Sequence, residues 1–121
     1  MNIEIKFRAQ RTDTKEFVYG YYHEVEAEGV GYSYIFWQGN TIPVRADSVG
    51  QFTGLLDKNG KEIYEGDIYH MGDNTITYTV VWNDSGFIGK QNGSSSYAGL
   101  EYWMDRIEII GNVYENKKLI N

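Results

Sequence analysis

The chain has 121 residues, no cysteine and a formal charge of −6. That length suits one domain or two very small β units. The missing cysteines exclude disulfides and thiolate chemistry, and the acidic balance works against non-specific binding to duplex nucleic acid, which needs clustered Lys and Arg.

Aromatics make up 16% of the chain, with eleven tyrosines, frequent glycine and one proline, a strand-and-turn composition. Ile3, Ile5, Phe7 and Ala9 alternate with Asn2, Glu4, Lys6 and Arg8, which predicts a half-buried strand. After the polar link 10–16, Phe17-Val18-Tyr19-Gly20-Tyr21-Tyr22 supplies the return strand of a first hairpin. A second hairpin is predicted from residues 31–37 and 41–44 around Gln38-Gly39-Asn40, with Pro43 confining the return strand to an edge.

The expected boundary lies near Ala46-Asp47-Ser48, giving a hairpin unit over 1–47 and a small SH3-like barrel over 48–121. In the second unit, residues 51–56 and 61–64 flank Asp57-Lys58-Asn59-Gly60, and Asn59-Gly60 is a dipeptide suited to positive φ in a tight turn. Gly66-Asp67 marks a sharp bend, similar to the diverging turn of SH3-like barrels, in which the aspartate bonds nearby amides. Further strands are expected over 75–82, with Ile76, Tyr78, Val80 and Trp82 on one face, and over 86–90, 100–103 and 106–114. The only helical stretch considered is a single turn within 96–105. The fold class is therefore all-β, with short antiparallel strands and little helix.

No arrangement of residues supports catalysis. His23 and His70 lack a second ligand at metal spacing, and Ser94, Ser95 and Ser96 lack a base. Glu62, Glu65 and Asp67 read as turn capping, and the glycines as β bends rather than a phosphate cradle. Catalytic residues, metals and cofactors are accordingly expected to be none. The alternating run Glu24, Glu26 and Glu28 reads as a solvated face in preference to a nucleic-acid mimic.

Binding is the better expectation, because aromatic side chains concentrate at interfaces and on stacked bases. Phe7, Phe17, Phe52 and Trp82 are assigned to the core. Consecutive strand aromatics, Tyr21 with Tyr22, Phe36 with Trp37 and Tyr102 with Trp103, cannot all enter one thin core. The residues expected at a ligand or partner are Tyr22, Tyr34, Trp37, Arg45, Tyr102 and Trp103, and the structural turn residues are Asn59, Gly60, Gly66 and Asp67. Arg8, Arg45 and Arg106 either face an anionic ligand or pair with nearby acids.

Three blocks, Ile5-Lys6-Phe7-Arg8-Ala9, residues 49–68 and Ile109-Ile110-Gly111-Asn112-Val113-Tyr114-Glu115-Asn116, closely resemble the YopX family of phage and prophage proteins. The resemblance implies a mainly β accessory protein prone to self-assembly and without an assigned catalytic set. The chain departs from the family pattern at Gln10-Arg11, where Trp-Asp is expected, and over 24–46. That variable middle is where specificity is expected to differ.

Three readings follow: a non-enzymatic module that binds a host protein, such as one of host defence, and modulates it; an oligomer that sequesters a nucleotide-type signal between subunits; or a phage regulator acting through protein contacts. No apolar run reaches membrane-spanning length and residues 1–6 do not form a secretion signal, so the expected setting is the bacterial cytoplasm, as a homo-oligomer with no membrane or direct nucleic-acid partner.

Overall fold

The computed structural model describes residues 5–120. Predicted positions at Asn2, Ile3, Glu4 and Asn121 lie outside them. The fold is all-β, with antiparallel strands in two sheets. The chain divides into two compact units, Met1–Phe52 and Thr53–Asn121.

In the first unit the strands are β1 (Phe7–Gln10), β2 (Phe17–Ala27), β3 (Val30–Trp37), β4 (Asn40–Pro43) and the start of β5 (Gly50–Leu56), in the order β4-β3-β2-β1-β5. β1 and β2 form the first predicted hairpin, and β3 and β4 the second. Pro43 has an edge strand, where its missing N–H costs no ladder bond. β2 runs on through Glu24 and Glu26 and returns as β3 through the two-residue loop Glu28-Gly29, a hairpin absent from the sequence expectations. Both loop residues have positive φ, 53° and 78°, as a turn matched to strand twist requires. Ala9, Val18, Ile35, Ile42 and Val44 form the core of this unit. Each fully buried aliphatic contributes roughly 1.5–3 kcal/mol relative to exposure.

The second unit begins within β5. β6 (Glu62–Tyr64) precedes a sheet of β7 (Asp67–His70), β8 (Tyr78–Asn83), β9 (Gly86–Gln91), β10 (Tyr97–Gly99) and β11 (Glu108–Asn112), ordered β10-β9-β8-β7-β11. Its core is Ile63, Tyr69, Val80, Leu100 and Ile107. Gly66 has φ 94°, and the buried Asp67 carboxylate accepts the Tyr64 N–H at 2.7 Å. In the 57–61 loop, positive φ falls on Gly60 alone of the Asn59-Gly60 pair. The loop is wider than a two-residue turn because Asp57 closes it: its carboxylate accepts the amides of Asn59 and Lys61, both at 2.9 Å, and of Ile109 at 3.1 Å.

Two expectations are corrected here. Leu100–Trp103 is a single helical turn, α1, inside the 96–105 stretch considered for one, and not a strand, so the two-face argument does not apply to Tyr102 and Trp103. Trp82 is 53% exposed rather than core, lying edge-on to Phe87. The tail docks within its own unit, as Lys117–Ile120 folds into a short 3-10 turn and the Leu119 carbonyl accepts the Thr77 hydroxyl.

Candidate interaction face

Successive strand residues point to opposite sides of a sheet. The registers Tyr22↔Ile35↔Ile42 and Tyr21↔Phe36↔Thr41 therefore separate an inner face of the first unit from an outer one. On the inner face Tyr22 and Trp37 pack against the core. The Tyr22 hydroxyl donates to Glu24 Oε1 at 2.7 Å and lies 3.2 Å from Ser33 Oγ; burial pushes its pKa up.

The outer face carries Tyr19, Tyr21, His23 and Val25 from β2, Val30, Tyr32, Tyr34 and Phe36 from β3, and Thr41 and Pro43 from β4. Tyr21 is 67% exposed, Tyr32 and Phe36 are each 46% exposed, and Val25 and Val30 are exposed beside them. His23 stacks on Tyr34, with ring centroids 5.5 Å apart. Apolar side chains scattered singly over a surface need no explanation, but a contiguous strip on one sheet face marks an interaction site.

The expected site residues are distributed as follows. Within the pairs Tyr21/Tyr22 and Phe36/Trp37, the outward members are Tyr21 and Phe36, while Tyr22 and Trp37 are half-buried on the core side. Tyr34 and Trp37 lie on opposite faces of β3, so within one chain they cannot sandwich one base. Arg45 is exposed and pairs with Asp47 at 3.1 Å. Trp103 packs on the second unit's core with the Arg106 guanidinium 5.7 Å from its ring, whereas Tyr102 is 79% exposed and meets Trp103 edge-on. Arg8 is buried with its guanidinium 4.7 Å from the Phe17 ring. Sequence reasoning missed Tyr21, Tyr32 and Phe36; the parity of Tyr32, Tyr34 and Phe36 along β3 was the available signal.

The depression at the aromatic face favours a surface over a small-molecule pocket there. The depression beside Tyr34, bounded by Tyr32, Ser33, Pro43 and Val44 among others, holds about 180 Å³ and has no Lys or Arg in its lining. Drug-sized ligands occupy roughly 300–1,000 Å³. A larger groove of about 500 Å³ in the second unit is lined by Leu55, Leu56, Met104 and Lys58 among others. Two of its charged groups are already engaged: Lys58 pairs with Glu108 at 2.9 Å, and Asp57 holds the three amides described above. Among the described residues no group of three or more His, Asp or Glu is placed to hold a metal ion, and no helix is long and apolar enough to cross a membrane.

The β2–β3 hairpin also has a charge character, on the side opposite these aromatics. From Phe17 to Val44 the chain contains no Lys or Arg, and its only acids are Glu24, Glu26 and Glu28.

Comparison with known proteins places these features in context. A family model described as YopX protein matches residues 6–121. None of the curated proteins matches this sequence. Among solved structures, protein EF1440 from Enterococcus faecalis is similar over 99% of this chain and 100% of its own, with a TM-score of 0.59 and 22% identity, a likeness of fold.

Proposed function

We propose that this chain, which belongs to the YopX family, is a non-enzymatic phage or prophage accessory protein that binds a host protein and modulates it. The single observation that carries this reading is the aromatic face of β2, β3 and β4, with Tyr21 and Phe36 exposed side by side and Tyr32 exposed further along the same face of β3. Aromatic anchors of this kind, large and with few rotatable bonds, dominate the energy of protein interfaces. The protein acts in the bacterial cytoplasm as a homo-oligomer.

The experiment is affinity purification from a bacterial host during infection or lysogeny, comparing wild type with the double variant Tyr21→Ser, Phe36→Ser. A stoichiometric host protein retained by the wild type and lost from the folded variant is the expected result. A nucleotide co-purifying without any protein would replace this reading with sequestration between subunits.

A further inference from the structure

Beyond Ser33, whose carbonyl accepts the Val44 N–H, the β2–β3 hairpin projects as a two-stranded arm. From Glu24 to Ala27 and from Val30 to Tyr32 every residue is exposed, with Tyr32 at the arm's base bordering the depression beside Pro43 and Val44. Its pairs are Glu24↔Ser33, Val25↔Tyr32, Glu26↔Gly31 and Ala27↔Val30. Alternation makes the arm two-sided: Glu24 and Glu26 project on one side, and Val25, Ala27, Val30 and Tyr32 on the other. Glu28 sits in the loop at the tip. An isolated two-stranded ribbon is only marginally stable in water, and an occupant covering both sides would stabilise it.

Resting on the binding role proposed above, we infer that this arm inserts into a protein groove with one basic wall and one apolar wall. Charge complementarity selects the occupant. Three glutamates with no Lys or Arg between Phe17 and Val44 attract a cationic surface. Glu24 is held ready, since the Tyr22 hydroxyl fixes one carboxylate oxygen at 2.7 Å while an ionised carboxylate has further acceptor sites. A second copy of this chain docking arm to arm would bring the same glutamates together, and like charges across an interface are repulsive. Nucleic acid is repelled for the same reason. The apolar side, centred on Tyr32, supplies the anchor, and the glutamates supply orientation and association rate.

The test places a photo-crosslinking phenylalanine analogue at Tyr32, and separately at Tyr102 as a reference, in protein expressed in the infected or lysogenic host. The expected result is one host protein cross-linked at Tyr32 through an apolar segment. In Glu24→Gln, Glu26→Gln, Glu28→Gln, the apparent affinity for that protein falls about tenfold near physiological salt. The difference disappears near 1 M salt, where screening reaches about 3 Å. Unchanged amide exchange in β3 and β4 would show that the triple variant is folded.

Cross-linking of Tyr32 to a second copy, to a charged segment, or to nothing would overturn the inference, as would full affinity in the triple variant. If the Tyr21→Ser, Phe36→Ser protein loses the partner while the triple variant keeps it, the charge inference falls and the binding role stands. Capture at Tyr102 in place of Tyr32 would remove both.

Discussion

Replacing Gly20 with alanine should destabilise the first unit strongly, chiefly through lack of space. Gly20 also has φ 158°, a value that L side chains rarely adopt. A Cβ built there would overlap the Phe36 carbonyl oxygen, with the Phe36 carbonyl carbon at 3.1 Å and Ile35 Cγ2 at 3.3 Å. Because the obstruction is backbone, no rotamer relieves it, and β2 must part from β3 beside the Tyr21↔Phe36 pair. Overpacking costs roughly 1–3 kcal/mol and a lost ladder bond about 1 kcal/mol, so the expected loss is about 3 kcal/mol. Native-state amide exchange is the assay: protection across β2, β3 and β4 should fall on the order of a hundredfold. Gly31→Ala is the control, because nothing lies within 4 Å of its Cβ. A Gly20→Ala protein within about 0.5 kcal/mol of that control would refute the reasoning.

Further expectations concern the loops. Glu28→Asn should stabilise the chain by about 0.5 kcal/mol in urea denaturation, because asparagine tolerates the positive φ of this turn better than glutamate. Asp57→Ala should cost about 3 kcal/mol in the same assay, since it strips one acceptor from three backbone donors. The Arg11 guanidinium, bonded to Asp13 at 2.8 and 2.9 Å, holds the Asp13 pKa down to about 2 from 3.8. A depressed carboxylate stabilises above its unfolded pKa and loses that contribution as pH falls through the folded one, here between 3.8 and about 2. Carbon-detected NMR titration should place the Asp13 midpoint near the low value, and Arg11→Gln should return it toward 3.8.

The parts legible in the sequence were those where local chemistry and tertiary packing agree. The β1–β2 hairpin follows from alternation of apolar residues, β4 lies at an edge as Pro43 requires, and Gly66-Asp67 combines a residue free to take positive φ with a short acceptor. The β2–β3 arm was hidden because Glu24, Glu26 and Glu28 have low strand propensity and its apolar side is largely exposed. Trp82 misled because alternation identifies a face without saying whether anything covers it. Tyr102 and Trp103 misled through period: a strand places them on opposite sides, whereas α1 turns them roughly 100° apart, leaving one at the core and the other outside. The same strand parity, applied to β3, would have separated Tyr34 from Trp37 and grouped Tyr32, Tyr34 and Phe36.

The most direct test of the binding face is hydroxyl-radical footprinting of the protein alone and in the assembly purified from its host. Oxidation of Tyr21, Tyr32 and Phe36 should fall on assembly, while Tyr102, the most exposed of the aromatics considered, should keep its free-state reactivity. Protection of Tyr102 with Tyr21, Tyr32 and Phe36 unchanged would contradict the account.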